Sequence, residues 1–235
     1  MDITRRAFLG VAGAILGAAS EPRSAAAADV TTGVNPLNLD RVRDGILYVP
    51  KGYQASVPAP LVVMFHGAGS SGLNCQYAFP SADEFGCLLL APDSRSELTW
   101  DLVLGEYGPD VEFLESAVAQ TLGRCNVDRK ALSVAGHSDG ASYALSFGIT
   151  SGDIFGHILA FSPGVMTPVA ARGKPRIFMS HGIDDPVMPI EATSRKFVAR
   201  LRGLGYDVTY QEYEGRHGVP APIVHDGFAW LHRKT

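Results

Sequence analysis

Along the chain, short unbroken runs of apolar residues recur, each closed by glycine, proline, histidine or aspartate. Residues 45–49 (GILYV), 61–65 (LVVMF), 87–91 (CLLLA), 131–135 (ALSVA), 157–161 (HILAF), 176–180 (RIFMS) and 207–213 (DVTYQEY) read as strands. Such runs lack the in-and-out alternation of a half-exposed sheet; they suit strands covered by helices on both faces. Helical spacing fills the intervals. Residues 110–122 put Val111, Leu114, Val118 and Leu122 on one stripe, with Asp110 positioned to cap the start. Residues 138–148 read as the next helix. Residues 191–204 carry Phe197, Val198, Leu201 and Leu204 ahead of Gly205, a helix-stopping residue. A last helix, 222–232, is entered through prolines whose missing N–H groups cost nothing there. Strand and helix in alternation predict right-handed crossovers, hence an α/β fold with a mostly parallel central sheet and helices on both faces.

The N-terminus breaks this pattern. Residues 1–28 begin with Arg5 and Arg6, run apolar from 7 to 19 and then turn to small residues, the layout of a cleaved export signal. Arg5-Arg6 followed by Ala7-Phe8-Leu9 is similar to a bacterial twin-arginine signal. Cleavage near Ala28 would leave 29–235 as a single catalytic domain, delivered by the export machinery to the periplasm or beyond. No apolar run reaches the roughly eighteen residues of a spanning helix, so no stable membrane anchor is expected. The net charge of -4, without a basic block, gives no sign of nucleic-acid binding. In an oxidising compartment the three cysteines, Cys75, Cys87 and Cys125, allow at most one internal disulfide, and their spacing is not that of metal ligands.

In an open α/β sheet, chemistry gathers where strands end. The residues that follow the runs are His66-Gly67-Ala68-Gly69, Asp93-Ser94-Arg95, Gly136-His137-Ser138-Asp139-Gly140, Ser162-Pro163, residues 181–186 and Gly215-Arg216-His217. One of these, Gly136 to Gly140, fits G-x-S-x-G between a strand and a helix, where two glycines allow a tight turn that lifts the serine hydroxyl clear of the sheet. A serine hydroxyl needs a base to take its proton during attack. The base needs an acid to hold its tautomer, and the developing oxyanion needs aimed N–H donors.

Taken in order, these motifs resemble the α/β-hydrolase superfamily, whose members run serine, acid, histidine along the chain. His66-Gly67-Ala68-Gly69 is similar to the family's oxyanion loop. His181-Gly182-Ile183-Asp184-Asp185-Pro186-Val187 and Gly215-Arg216-His217-Gly218-Val219-Pro220 resemble the acid turn and histidine loop of its carboxylesterase and phospholipase branch. Residues 110–145 are also similar to secreted esterases related to polyhydroxybutyrate depolymerases. The resemblance runs from about Gly45 to Trp230.

That resemblance implies Ser138 as nucleophile and Asp185 as acid, with neighbouring Asp184 the competing candidate; Asp185 directly precedes Pro186, which favours extended backbone at 185. Of the seven histidines, His66 and His181 stand at strand ends as loop braces, His137 is expected to diverge from its neighbour Ser138, His157 starts a strand, and His225 and His232 belong to the last helix. His217, in a loop beyond the final strand, is left as the base. The backbone N–H groups of Ala68 and Asp139 are the expected oxyanion donors. The Asp139 carboxylate should turn away from the site, towards a cation such as Arg95, because a second negative charge there would oppose the oxyanion. Trp100 forms a pocket wall or packs against its loop, and Met166 and Val187 are candidates for the acyl side. Little chain separates Ser138 from Asp185, so no large cap domain is expected. The implied activity is cofactor-free and metal-free hydrolysis of short-chain or hydroxyacyl esters, small or oligomeric, through an acyl-enzyme. A lysophospholipase, a thioesterase or an acyltransferase would use the same residues, and a silent hydrolase fold would serve as a binding module.

Overall fold

A computed structural model describes residues 30–104 and 107–233; the expected export signal lies outside them. The strands are β1 (Gly33–Pro36), β2 (Gly45–Val49), β3 (Ala59–Phe65), β4 (Leu88–Pro92), β5 (Val127–His137), β6 (His157–Phe161), β7 (Arg176–Gly182) and β8 (Val208–Tyr213). The helices are α1 (Phe79–Phe85), α2 (Asp101–Leu104), α3 (Pro109–Arg124), α4 (Asp139–Thr150), α5 (Ser194–Gly203) and α6 (Ala221–Leu231), with a 3-10 helix at Gly72–Ala78. The strands form one sheet in the order β1-β2-β4-β3-β5-β6-β7-β8. From β4 to β8 every neighbouring pair is parallel, whereas β1 and β2 pair antiparallel at one edge.

The apolar runs are continuous because successive side chains enter two different cores. Leu61, Val63 and Phe65 face one core with Leu88, Leu90, Ile158 and Ile177. Val62 and Met64 face the other with Leu89, Ala91, Leu159 and Phe178. The first core is closed by the stripes of α3, α4 and α5, the second by the 3-10 helix, α1 and α6. Burying each large aliphatic side chain contributes roughly 1.5–3 kcal/mol relative to leaving it exposed. Gly205 takes a left-handed conformation (φ 78°) just beyond α5, as its position in the sequence predicts. Among the described residues, no helix is long and apolar enough to cross a membrane.

Three features differ from the sequence expectation or were missed by it. The edge strand β1 (GVNP) and residues 72–85 show no strong apolar period, and both form regular structure through packing. Asp110 does not cap α3. It sits inside the first turn with its carboxylate buried, accepting the N–H groups of Arg95 and Asp101, while Asp101 accepts those of Gly108 and Asp110. The start of α3 is thus capped from α2. Cys75, Cys87 and Cys125 are buried and none is in a disulfide; burial pushes the Cys75 and Cys87 thiols up to about 12.

Packing is close where α4 meets β3. A Cβ on Gly140 would stand 2.1 Å from the Phe65 carbonyl oxygen and 2.5 Å from that of His66. Gly140→Ala is expected to lower the unfolding free energy by about 3 kcal/mol, read as a lower urea midpoint at unchanged m-value. Gly123→Ala, in α3 with open space around it, is the control, and should raise stability by about 0.5–1 kcal/mol. Equal midpoints for the two variants would mean that α4 can move away from β3.

Candidate active site

Between β5 and α4 the chain reverses at a single residue. Ser138 has φ 59° and ψ -123°, a left-handed conformation that a residue with a side chain adopts at a cost of about 1–3 kcal/mol. Gly136 and Gly140 make the reversal possible, since a Cβ on Gly136 would lie 2.2 Å from the Gly140 carbonyl oxygen. Hydrogen bonds hold the elbow. The Ser138 N–H donates to the Phe161 carbonyl at 3.0 Å, and the Ser138 carbonyl accepts the Ser142 N–H at 3.0 Å.

The Ser138 hydroxyl lies 2.8 Å from His217 Nε2, and His217 Nδ1 lies 2.6 Å from Asp185 Oδ2. Asp185 is buried in the turn after β7, where its Oδ1 accepts the N–H groups of Val187 (2.8 Å) and Met188 (2.9 Å). Burial pushes its carboxyl pKa up, but the Met188 N–H, the His217 ring and the Val187 N–H outweigh burial and hold it below the usual carboxylate range. Asp184, by contrast, is exposed, and its backbone N–H donates to the Gly215 carbonyl. The His217 loop is seated on the end of β7, where a Cβ on Gly182 would clash with the Gly215 carbonyl at 2.5 Å.

Beside the serine lies a cleft of about 440 Å³ lined by Gly67, Ala68, Ser138, Val187 and His217 among others. The Asp139 N–H belongs to the first turn of α4, whose donors have no partner within the helix. The Ala68 loop is braced from below. His66 Nδ1–H donates to the Gly67 carbonyl (2.8 Å), its Nε2 accepts the Ser94 N–H (3.0 Å), and Trp100 Nε1–H donates to the His66 carbonyl (2.8 Å).

Several expectations need correction. The Asp139 carboxylate accepts from the Thr99 hydroxyl at 2.6 Å and does not reach for Arg95. Arg95 is committed elsewhere, near Asp40, over the Phe113 ring and against the Asp93 carbonyl. Trp100 is no pocket wall; it is buried, packed on Phe65, Tyr143 and His66. Met166 is buried in the core and does not line the cleft, whereas Val187 is exposed and does. His137 does not diverge from the site, for its ring lines the cleft 4.9 Å from that of His217. Ser70, Asn74 and Tyr77 also line the cleft. Ser70 lies in the loop after β3, and Asn74 and Tyr77 come from the 3-10 segment, which lacks any periodic signal in the sequence. Of the remaining histidines, His181 braces the acid turn from β7, His157 begins β6, and His225 and His232 pair with Glu84 and with the Phe228 carbonyl.

Burial, followed by the neighbouring His217, lowers the His137 pKa to about 4 from its ordinary 6.5. The unfolded chain therefore takes up this proton at a higher pH than the folded one. The stability that depends on neutral His137 is complete above about 6.5 and is lost as the pH falls from there towards 4. The urea midpoint should fall across that window, and His137→Gln should show a shallower fall than the parent chain. Parallel curves would remove His137 as a contributor.

No family model matches the chain. It is 25% identical over 171 residues to feruloyl esterase C of Emericella nidulans, a match that covers 69% of this chain and 61% of that enzyme. The chain therefore spans about three fifths of the length of that relative. Among solved structures, a ferulic acid esterase of Anaeromyces mucronatus superposes with a TM-score of 0.66 at 16% identity, over 88% of this chain and 92% of that one. Esterase PE8 superposes with a TM-score of 0.64 at 20% identity, over 80% and 97%. Sheet order, elbow and these likenesses together give the chain the α/β-hydrolase fold.

Proposed function

We propose that the protein is a serine carboxylic-ester hydrolase. The observation that carries this reading is the continuous hydrogen-bonded line from Ser138 Oγ through His217 to buried Asp185, at 2.8 and 2.6 Å. Asp185 holds His217 with Nδ1 protonated, so Nε2 is bare and accepts the Ser138 proton as Oγ attacks the ester carbonyl. The oxyanion forms between the N–H groups of Ala68 and Asp139. Such preorganised donors contribute about 3–4 kcal/mol of transition-state stabilisation each in acyl transfer. The imidazolium then protonates the leaving alcohol, and water repeats the sequence on the acyl-enzyme. Neutral His137 beside His217 adds no positive charge that would oppose formation of that imidazolium.

The cleft fits small acyl groups. Among the described residues the segment between β6 and β7 contains no helix or strand, so no cap is built there. His66, Ser70, Asn74, Tyr77 and His137 add hydrogen-bonding groups to a cleft whose lining is otherwise mostly apolar, which supports short hydroxyl-bearing acyl groups as substrates. The likeness to feruloyl esterase C adds feruloyl esters to the short-chain and hydroxyacyl candidates. The Arg5-Arg6 start, similar to an export signal, supports a site of action outside the cytoplasm in the same reading.

Ser138→Ala and His217→Ala should each reduce kcat on a nitrophenyl ester by at least about four orders of magnitude, with the thermal midpoint little changed. Asp185→Asn should cost about as much, while Asp184→Asn stays near the parent rate; the reverse ranking would assign the acid to Asp184. A fluorophosphonate should label Ser138, and an intact protein that never labels is a binding module. Across nitrophenyl esters of increasing chain length, with methyl ferulate alongside, kcat/KM should fall beyond about four carbons. A rise with chain length would support the lysophospholipase or thioesterase reading instead.

A further inference from the structure

Asp185 is shared between two imidazoles. Its Oδ2 lies 2.6 Å from His217 Nδ1 and also 3.1 Å from His181 Nε2, and neither the His181 nor the Asp185 side chain is accessible to solvent. The same His181 Nε2 lies 2.7 Å from the Met188 carbonyl, while Nδ1 lies 2.7 Å from the hydroxyl of Ser194, the first residue of α5. Nε2 thus faces two oxygens that carry no hydrogen, a carbonyl and a carboxylate, so it must bear the proton. Burial is the largest influence on this ring and lowers its affinity for a second proton. Nδ1 is therefore bare and accepts the Ser194 hydroxyl proton.

The carboxylate's surroundings are then complete. An ionised carboxylate offers about four acceptor positions. Here Val187 and Met188 N–H occupy Oδ1, and His217 and His181 occupy Oδ2. The backbone pair anchors one oxygen to its own turn. The oxygen that faces His217 is tied to the rest of the protein by His181, which in turn is oriented from α5.

We infer that His181, oriented by Ser194, is a positioning residue that fixes the Asp185 Oδ2 acceptor for His217 and, through the Met188 carbonyl, secures the turn bearing Val187. It moves no proton. The inference rests on the reading of Ser138, His217 and Asp185 as the reacting group, and it adds Ser194 and His181 behind them, so that α5 and β7 jointly aim the acid.

The test uses the full chain and three variants: His181→Phe, His181→Gln and Ser194→Ala. Glutamine keeps an N–H donor near the position of Nε2, whereas phenylalanine fills the space without one. kcat and KM on a nitrophenyl ester, the rate of fluorophosphonate labelling and the thermal midpoint are measured for each. His181→Phe should lower kcat and the labelling rate about a hundredfold with KM within about threefold, the scale of a small misplacement of reacting groups. His181→Gln should recover at least about tenfold of that loss, and Ser194→Ala should lose about tenfold, as for loss of an outer hydrogen-bond partner. Folded His181→Gln as impaired as folded His181→Phe would overturn the inference, because shape alone would then explain the loss. Parental kcat in folded His181→Phe would overturn it as well. Should His181→Phe not fold, Ser194→Ala decides: a tenfold loss supports the inference and parental kcat overturns it. Failure of the underlying reading looks different, since parental protein would then not label at Ser138 and both conclusions would fall together.

Discussion

The contact between Gly140 and the carbonyl oxygens of Phe65 and His66 governs the geometry of the site. With no Cβ in the gap, the first turn of α4 settles directly on the end of β3. This one approach fixes two things. It forces the reversal at Ser138 into a single residue of positive φ. It sets the start of α4 beside the loop that follows β3, where a Cβ on Gly67 would lie 3.5 Å from the Ser138 Cβ. A longer turn would satisfy the backbone at lower strain, but it would separate the serine from the Ala68 loop. The strain at Ser138 is held because the parallel strands β3, β5 and β6 converge there, with the Ser138 N–H bonded to the last residue of β6.

Behind the Ala68 loop lies a second layer that the chemistry needs but does not touch. Trp100 is buried and donates to the His66 carbonyl, while His66 accepts the Ser94 N–H. Loop conformation is thus set by an indole and an imidazole locked in the protein interior, rather than by the loop's own residues. Asp101 and Asp110 extend the same layer by exchanging backbone N–H groups between α2 and the start of α3. Burial and then the Asp110 charge raise the Asp101 pKa to about 6, the cost of burying one carboxylate and setting a second beside it. Thr99, next to Trp100, takes up the Asp139 carboxylate and turns its charge away from the serine.

What the sequence reveals and what it hides follow from these packing rules. Strands buried on both faces announce themselves as unbroken apolar runs, and the elbow, acid turn and histidine loop are legible because their chemistry demands particular residues at strand ends. The choice of Asp185 over Asp184 was open to spacing alone and depends on which carboxylate turns inward. Trp100 was open between pocket wall and loop packing because a tryptophan in a polar loop gives no sign of which way its ring points; the ring fills space under the loop. Arg95 was offered as the partner of Asp139 on charge alone, yet a short uncharged hydroxyl one residue from Trp100 was nearer. The 3-10 helix at Gly72–Ala78 has neither helical nor strand period, so Asn74 and Tyr77 could not be assigned to the cleft before the fold was known.

Two imidazoles flank the Asp185 carboxylate and a third, His137, lies against His217, and the proposed reaction needs their protonation to be unequal. Burial dominates both His137 and His181 and lowers their pKa values, so near neutral pH each is a neutral group. A positive charge on either would compete with the His217 imidazolium for the single negative charge of Asp185 and would make the base less willing to take the serine proton. The protein avoids that competition by exposure rather than by residue type. His217 alone of the three is reached by the cleft while directly bonded to the acid, and its side chain keeps some contact with solvent, whereas His181 is sealed beneath the acid with every nitrogen already matched. In the proposed reaction the same residue type thus serves as base, neutral neighbour and donor according to where the fold has left room for water.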